Sequence, residues 1–219
     1  MEILRRVISL KKSAYKRALC ALFSVFLVLT MVFPGEVVLA ASAPGNVARF
    51  SMTGCSASTV SLSWNKVKGA GGYRIRRYDS KSKKWKTVLT ATKGSAIKGT
   101  VKKLSPATTY KLQIHAYKKA GKKTLYSKKA KTLTVATKPA KVTLQSAKAS
   151  AAKITVSWKK VAASGYQVIY AHNKQFKNGE SILMGGSNKA ATYYAPYSGT
   201  YYVHLRPYKN LSGKKYYGS

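Results

Sequence analysis

The stretch VSLSWNKVKGAGGYRI, Val60 to Ile75, is restated as ITVSWKKVAASGYQVI, Ile154 to Ile169, with Trp64 and Trp158 94 residues apart. A chain that repeats itself at such a spacing builds the same unit twice. Within each copy apolar and polar residues alternate: Val60, Leu62 and Trp64 against Ser61 and Ser63, then Ile154, Val156 and Trp158 in the same phase. Successive side chains of a strand point to opposite faces, so a period of two predicts half-buried strands. A second alternating strand follows in each copy, with Tyr73 and Ile75 in the first and Tyr166, Val168 and Tyr170 in the second. Gly71-Gly72 and Ser164-Gly165 read as the connecting turns. Further on, Thr108 to Tyr117 puts Tyr110, Leu112, Ile114 and Ala116 on one face, and Gly199 to Tyr208 does so with Tyr201, Val203, Leu205 and Pro207. Both copies open with a proline and a valine three residues later, Pro44 to Val47 and Pro139 to Val142. A period in the low nineties made of short strands, with almost no helical pattern, predicts an all-β chain of two tandem sandwiches.

The segment ahead of the repeats has another purpose. Arg5, Arg6, Lys11, Lys12, Lys16 and Arg17 precede an apolar run from Ala18 to Phe33, then Pro34-Gly35 and a small-residue exit at Val38-Leu39-Ala40. This is the pattern of a secretory signal peptide over residues 1–40, cleaved near Ala40. The run is shorter than the ~20 residues a spanning helix needs; an uncleaved anchor is the alternative. The expected location is secreted or cell surface, with membrane contact only through the signal peptide before cleavage. What remains, residues 41–219, holds one cysteine, Cys55. It has no internal disulfide, so each sandwich must bury a full core of its own.

Charge is the most unusual bulk property. Beyond residue 40 there are 35 lysines and arginines against two carboxylates, Asp79 and Glu180, a formal charge of +33. Solubility is met by mixed charges and a modest net charge, which explains many lysines but not the missing acids; a polyanionic environment explains both. Only Arg49, Arg74, Arg76, Arg77 and Arg206 are arginines, which favours diffuse attraction by flexible point charges over bidentate recognition of one group.

LSPATTY, Leu104 to Tyr110, resembles the L-x-P-x-T-x-Y signature of fibronectin type III domains, and a tryptophan in an early strand followed by a Gly-Tyr fits the same family. The resemblance implies two immunoglobulin-like sandwiches, residues 44–138 and 139–219. It implies that Trp64 and Trp158 are the core tryptophans of the second strand and that Tyr73 and Tyr166 lie on the third. Leu104 is the signature leucine, and Tyr110 and Tyr201 are the tyrosine corners, whose hydroxyls would find a backbone carbonyl. SWKKV followed by Gly-Tyr and a Lys- and Tyr-rich return strand is similar to repeats of secreted and surface proteins of Gram-positive bacteria. In the second copy Tyr194 stands in the leucine's place, two residues before Pro196. That copy also lacks most of its last strand: Ser127 is followed by KKAKTLTVATKP, whereas its counterpart Ser219 ends the sequence, leaving Lys214 to Tyr217 as a remnant. A fragment of a longer protein with other domains is the favoured explanation. A strand supplied by another chain and a tolerated short edge stand beside it.

Chemistry finds little to stand on. Glycoside hydrolysis needs two carboxylates across a cleft, and Asp79 and Glu180 fall in turn regions of different repeats. His115 and His204 take the outward phase of the return strands, His172 has no neighbouring ligand, and metal sites need three or more converging groups. Cys55 lacks the signature of an activated nucleophile. No helix pattern follows the glycines of KGAGGYR, so they do not form a phosphate loop. The reading is non-enzymatic, with no cofactor and no metal.

Binding and spacing remain. The outward phase of the first sandwich presents Arg74, Arg76, Tyr78, Lys111, Gln113, His115 and Tyr117; the second presents Gln167, Ile169, Tyr202, His204, Arg206 and Tyr208. Such basic, aromatic faces suit acidic glycans or polyol phosphates, since tyrosine offers a flat apolar surface with a polar tip and cations attract over about a Debye length, ~8 Å at physiological salt. The loops expected at Lys118–Lys123 and Lys209–Lys215 add lysines. The bland alternative is a solvated outer sheet protected from aggregation by lysines. The leading expectation is an adhesion or spacer pair associated with an anionic cell-wall polymer or polysaccharide. The alternatives are a neutral-glycan-binding accessory region of a longer secreted glycoside hydrolase and, least favoured, an extracellular nucleic-acid binder, for which no recognition element is visible.

Overall fold

The structure is a computed structural model that describes residues 41–219; the expected signal peptide, residues 1–40, lies outside the described residues. Strands make up all the regular structure there. The first sandwich contains β1 (Phe50–Cys55), β2 (Val60–Trp64), β3 (Gly72–Asp79), β4 (Lys84–Ala91), β5 (Lys98–Val101), β6 (Thr109–Ala120), β7 (Lys123–Tyr126) and β8 (Lys131–Ala136). The second contains β9 (Thr143–Ser150), β10 (Lys153–Lys159), β11 (Gly165–Ala171), β12 (Glu180–Gly185), β13 (Ala190–Tyr194), β14 (Tyr202–Leu211) and β15 (Lys214–Tyr217).

Antiparallel sheets β1-β2-β5 and β4-β3-β6-β7 face each other in the first half, with β8 also pairing β6. In the second half β9-β10-β13 faces β12-β11-β14-β15. The alternation places Val60, Leu62, Trp64, Tyr73, Ile75, Leu104, Leu112 and Ile114 in one buried cluster, and Ile154, Val156, Trp158, Tyr166, Val168 and Tyr170 in another. Each half therefore has its own apolar core, as a chain without a disulfide requires.

The serine, tryptophan, valine and tyrosine of the repeated phrase make the same contacts in both halves. The serines beside the tryptophans face outward and join neighbouring strands, Ser51 Oγ to Ser63 Oγ at 2.9 Å and Ser146 Oγ to Ser157 Oγ at 2.7 Å. Each tryptophan packs on the tyrosine of the opposite sheet, with ring centroids 5.5 Å apart for Trp64 and Tyr73 and 5.1 Å for Trp158 and Tyr166. Those tyrosines are fully buried and need partners for their hydroxyls. The valine of each Lys-Val donates one: Val67 N–H to Tyr73 Oη at 2.8 Å, Val161 N–H to Tyr166 Oη at 2.9 Å.

The glycine of each Gly-Tyr is not the turn residue the sequence suggests. Gly72 and Gly165 open β3 and β11, and the first connection bends instead at Gly69, whose φ is 76°. Gly72 lies opposite Tyr117 and Gly165 opposite Tyr208. A Cβ at Gly72 would come within 2.6 Å of the Tyr117 ring and overlap the Ala91 carbonyl oxygen; one at Gly165 would overlap Tyr208 and the Met184 carbonyl oxygen. The glycines leave room for a cross-strand tyrosine to lie over the backbone.

The corner tyrosines are half-buried rather than core, and their bonds differ. Tyr201 Oη donates to the Tyr197 carbonyl at 3.2 Å, as expected, whereas Tyr110 Oη accepts from Ser105 N–H at 2.7 Å. Tyr194 does not replace Leu104. Val60 pairs with Val101 and its counterpart Ile154 with Tyr193, so Tyr194 corresponds to Lys102 and is 70% exposed.

Candidate binding face

The β3–β6 register decides which predicted residues meet. Arg74 lies opposite His115, Arg76 opposite Gln113 and Gly72 opposite Tyr117, all on the face of the sheet away from the core. Tyr78 and Lys111 extend this face, and Trp85 of β4 joins it as the partner of Tyr78, with ring centroids 5.3 Å apart. Tyr126 of β7, opposite Tyr117, closes the other end. The Arg74 guanidinium lies between two aromatic rings, 5.8 Å from Tyr117 and 5.0 Å from Tyr126. It is held by cation–π attraction, so its charge is presented in one place rather than swept through solvent.

Tyr117 is 7% exposed, which corrects its assignment as a contact residue. The gap at Gly72 draws its ring down onto the backbone, where it supports Arg74. His115 is partly buried, its Nδ1 3.0 Å from the Ser127 carbonyl oxygen. Arg76 and Lys111 keep their charges at the surface. The expected lysine loops are strands: Lys118 and Lys119 belong to β6 and Lys123 to β7, and Lys209 and Lys214 likewise lie in β14 and β15. Hairpins turning at Gly121 and Gly213 replace those loops, both glycines having positive φ.

Tyr78 and Lys111 line a groove of about 700 Å³ with Arg77, Lys81, Tyr110 and Thr134. The Arg77 guanidinium lies 5.4 Å from the Tyr110 ring. Asp79 is the acid in this groove. Its carboxylate pairs with the Lys86 ammonium and accepts Lys81 and Ser82 N–H groups. The Lys86 bond and those amides hold its carboxyl well below the usual range. Asp79–Lys86 is the one ion pair among the described residues, so the remaining cations there have no side-chain carboxylate partner among those residues.

The second sandwich organises its face differently. Arg206 Nε donates to Gln167 Oε1 at 2.8 Å and its guanidinium lies 3.9 Å from the Tyr217 ring. His204 packs against Phe176, with ring centroids 5.2 Å apart, and Lys174 lies 6.0 Å from the Tyr202 ring. Tyr208 lies over Gly165 beside Tyr217, centroids 5.9 Å apart. Leu183 is 51% exposed on the same face. This surface is more aromatic and less charged than the first.

The strongest sequence misses are Trp85, Tyr126 and Tyr217. They lie on β4, β7 and β15, beside β3, β6 and β14, where lysine-rich flanks hide the alternation. Among the described residues no three His, Cys, Asp or Glu side chains converge as metal ligands would. Cys55 is partly buried, and burial raises its thiol pKa against the lowering influence of Lys138.

The family model described as Fibronectin type III domain matches residues 42–132. A two-domain segment of chicken tenascin is 18% identical, with a TM-score of 0.45, over 81% of this chain and 98% of that one. The structure called FN3tt is 21% identical, with a TM-score of 0.37, over 45% of this chain and 98% of its own. No curated protein sequence matches.

Proposed function

From the premise that residues 42–132 form a fibronectin type III domain, followed by a second sandwich built from the same repeated phrase, we propose that the chain is a non-catalytic adhesion or spacer module that holds to anionic polymers of the cell envelope. Fibronectin type III domains are binding and spacing modules, and a fold alone assigns no ligand. The observation that carries the reading is the charge: +33 beyond residue 40, with one internal ion pair among the described residues. Mutual repulsion among so many cations destabilises a compact chain, and a polyanion relieves it.

Within that field, Arg74, Arg76 and Lys111 are the candidate contacts of the first face, with Tyr78 and Trp85 as flat surfaces beside them. Arg206, His204 and Tyr202 are the counterparts in the second. Polyol phosphate polymers supply the spaced negative charges that such a face matches, and secretion through residues 1–40 would bring the two together. A neutral-glycan reading is favoured by one feature, the Leu183–Tyr208–Tyr217 surface.

Co-sedimentation of residues 41–219 with purified cell walls, intact and stripped of anionic polymer, across a salt series tests the proposal. Binding that vanishes on stripping and falls steeply with salt supports it. Binding that survives both refutes it in favour of neutral glycans, and no binding at all leaves a spacer.

A further inference from the structure

The inward phase of the third strand ends differently in the two sandwiches. Tyr73 and Ile75 point into the first core opposite Ala116 and Ile114, and the next residue in that phase is Arg77, opposite the fully buried Leu112. In the second sandwich Tyr166 and Val168 take the same places, and the residue matching Arg77 is Tyr170, which is 1% exposed and stacked on Tyr193 with ring centroids 4.5 Å apart. One sheet end is closed by an aromatic ring, and the other holds a half-buried guanidinium. A cation drawn in from water needs a compensating partner. Arg77 has the Tyr110 ring at 5.4 Å but no ion pair, because Asp79, the carboxylate two residues on, pairs with Lys86 instead. The groove of about 700 Å³ beside Arg77 is also lined by Lys81 and Lys111, both exposed. Tyr110 Oη accepts the Ser105 N–H at 2.7 Å and keeps its own proton to donate. Asp79 adds no free charge there: Lys86, which is not part of the lining, neutralises it, and the Lys81 and Ser82 amides bond its Oδ1.

We propose that this groove is a phosphodiester subsite, in which the Arg77 guanidinium and the Tyr110 hydroxyl bind the non-bridging oxygens of one polyol phosphate unit while Lys81 and Lys111 attract the neighbouring charges. The inference rests on the reading of the ligand as a polyol phosphate polymer and names the side chains that would grip it. A guanidinium held against a ring is pre-set to give parallel hydrogen bonds to a single oxyanion, and a groove of this size holds a segment as large as a small-molecule ligand. Lys111 and Tyr78, which also line the groove, join it to the outer basic face. Arg77 thereby departs from the diffuse attraction expected of so lysine-rich a chain: its core-facing position fixes the group that a surface lysine would leave free.

The probe is bis(glyceryl) phosphate, one phosphodiester between two polyols, titrated into residues 41–219, which contain both apolar cores, at an ionic strength held constant with sodium chloride. The resonances of the Arg77 Nε–H and of the Ser105 amide, which bonds Tyr110, should shift and saturate. Arg77→Lys keeps the charge but gives up the fork, and should weaken binding about tenfold, the worth of one charge-assisted hydrogen bond. Arg49→Lys, at an exposed position outside the groove, should leave it unchanged. Lys81→Gln, in an exposed turn, repeats the test without touching the sheet: it should weaken binding more than Lys98→Gln on β5 of the facing sheet. Neither arginine exchange alters the +33, so wall co-sedimentation driven by total charge survives a failure here. Wall binding without shifts at Arg77 and Ser105, or with Arg77→Lys and Arg49→Lys indistinguishable, overturns the subsite alone. Equal shifts on adding sodium chloride overturn it too, as does tighter binding of an oligothymidylate than of a glycerol phosphate oligomer of equal charge. Absence of salt-sensitive wall binding in the unaltered chain overturns the reading on which it rests.

Discussion

Replacing Tyr73 or Tyr166 by phenylalanine removes one oxygen from each core and leaves the ring, so it isolates the hydroxyl. Tyr73 Oη accepts the Val67 N–H at 2.8 Å and reaches the Gly94 carbonyl at 3.3 Å; Tyr166 Oη accepts from Val161 and donates back to its carbonyl, both at 2.9 Å. A buried amide stripped of its acceptor costs about 1–3 kcal/mol. The Val67 bond is buried and the Val161 bond only partly so, so water can replace the second acceptor more readily than the first. The expected losses are about 2 kcal/mol for Tyr73→Phe and about 1 kcal/mol for Tyr166→Phe. With an m-value near 2 kcal/mol/M in urea, midpoints fall by about 1 M and about 0.5 M. The indole N–H resonances of Trp64 and Trp158, each packed on one of these tyrosines, follow the two halves separately through a urea titration. Each variant should move its own half. Shifts below about 0.2 M in both, or a larger effect at Tyr166, would refute the claim that the repeated Lys-Val exists to satisfy the repeated tyrosine.

Gly72→Ala and Gly165→Ala force a methyl into the cross-strand tyrosine and a carbonyl oxygen, and should each cost at least the roughly 1–3 kcal/mol typical of overpacking, read as a lower urea midpoint of the affected half. Arg76→Glu/Lys111→Glu should weaken cell-wall co-sedimentation and lower its salt slope by about one for each polymer phosphate that is no longer neutralised, with thermal stability little changed. Burial pushes the Tyr170 hydroxyl up from 10 to about 12. The folded chain therefore keeps a proton that the unfolded chain releases, and stability of the second half is full below pH 10 and declines between pH 10 and 12. Denaturant midpoints across that range check it, and Tyr170→Phe should flatten the decline.

The strands and both cores were legible because a two-residue period survives wherever one face meets apolar side chains and the other meets water. Cross-strand register was not. That Tyr117 lies down over Gly72, and so leaves the contact surface, depends on which residue of β6 falls opposite Gly72, a relation between positions 45 residues apart. The same holds for Tyr194, whose place beside Lys102 follows from strand pairing and not from its distance to Pro196. Lysine-rich ends of β6 and β14 read as loops because charge dominates local composition, although long aliphatic stems are compatible with a two-stranded ribbon.

The tyrosine–valine bond has a kinetic meaning as well. It spans six residues in the first half and five in the second, and it ties the connecting segment to the strand that follows, on the crossing between sheets, since β2 and β3, like β10 and β11, belong to opposite layers. Most sandwich contacts close long loops and form late, at a high entropic cost. This one closes a short loop and fixes the crossing between layers before distant strands arrive. Each half thus carries a candidate folding nucleus, written into the same sixteen-residue phrase that marks the repeat. Tyr73→Phe and Tyr166→Phe should therefore act mainly by slowing refolding, with unfolding rates nearly unchanged.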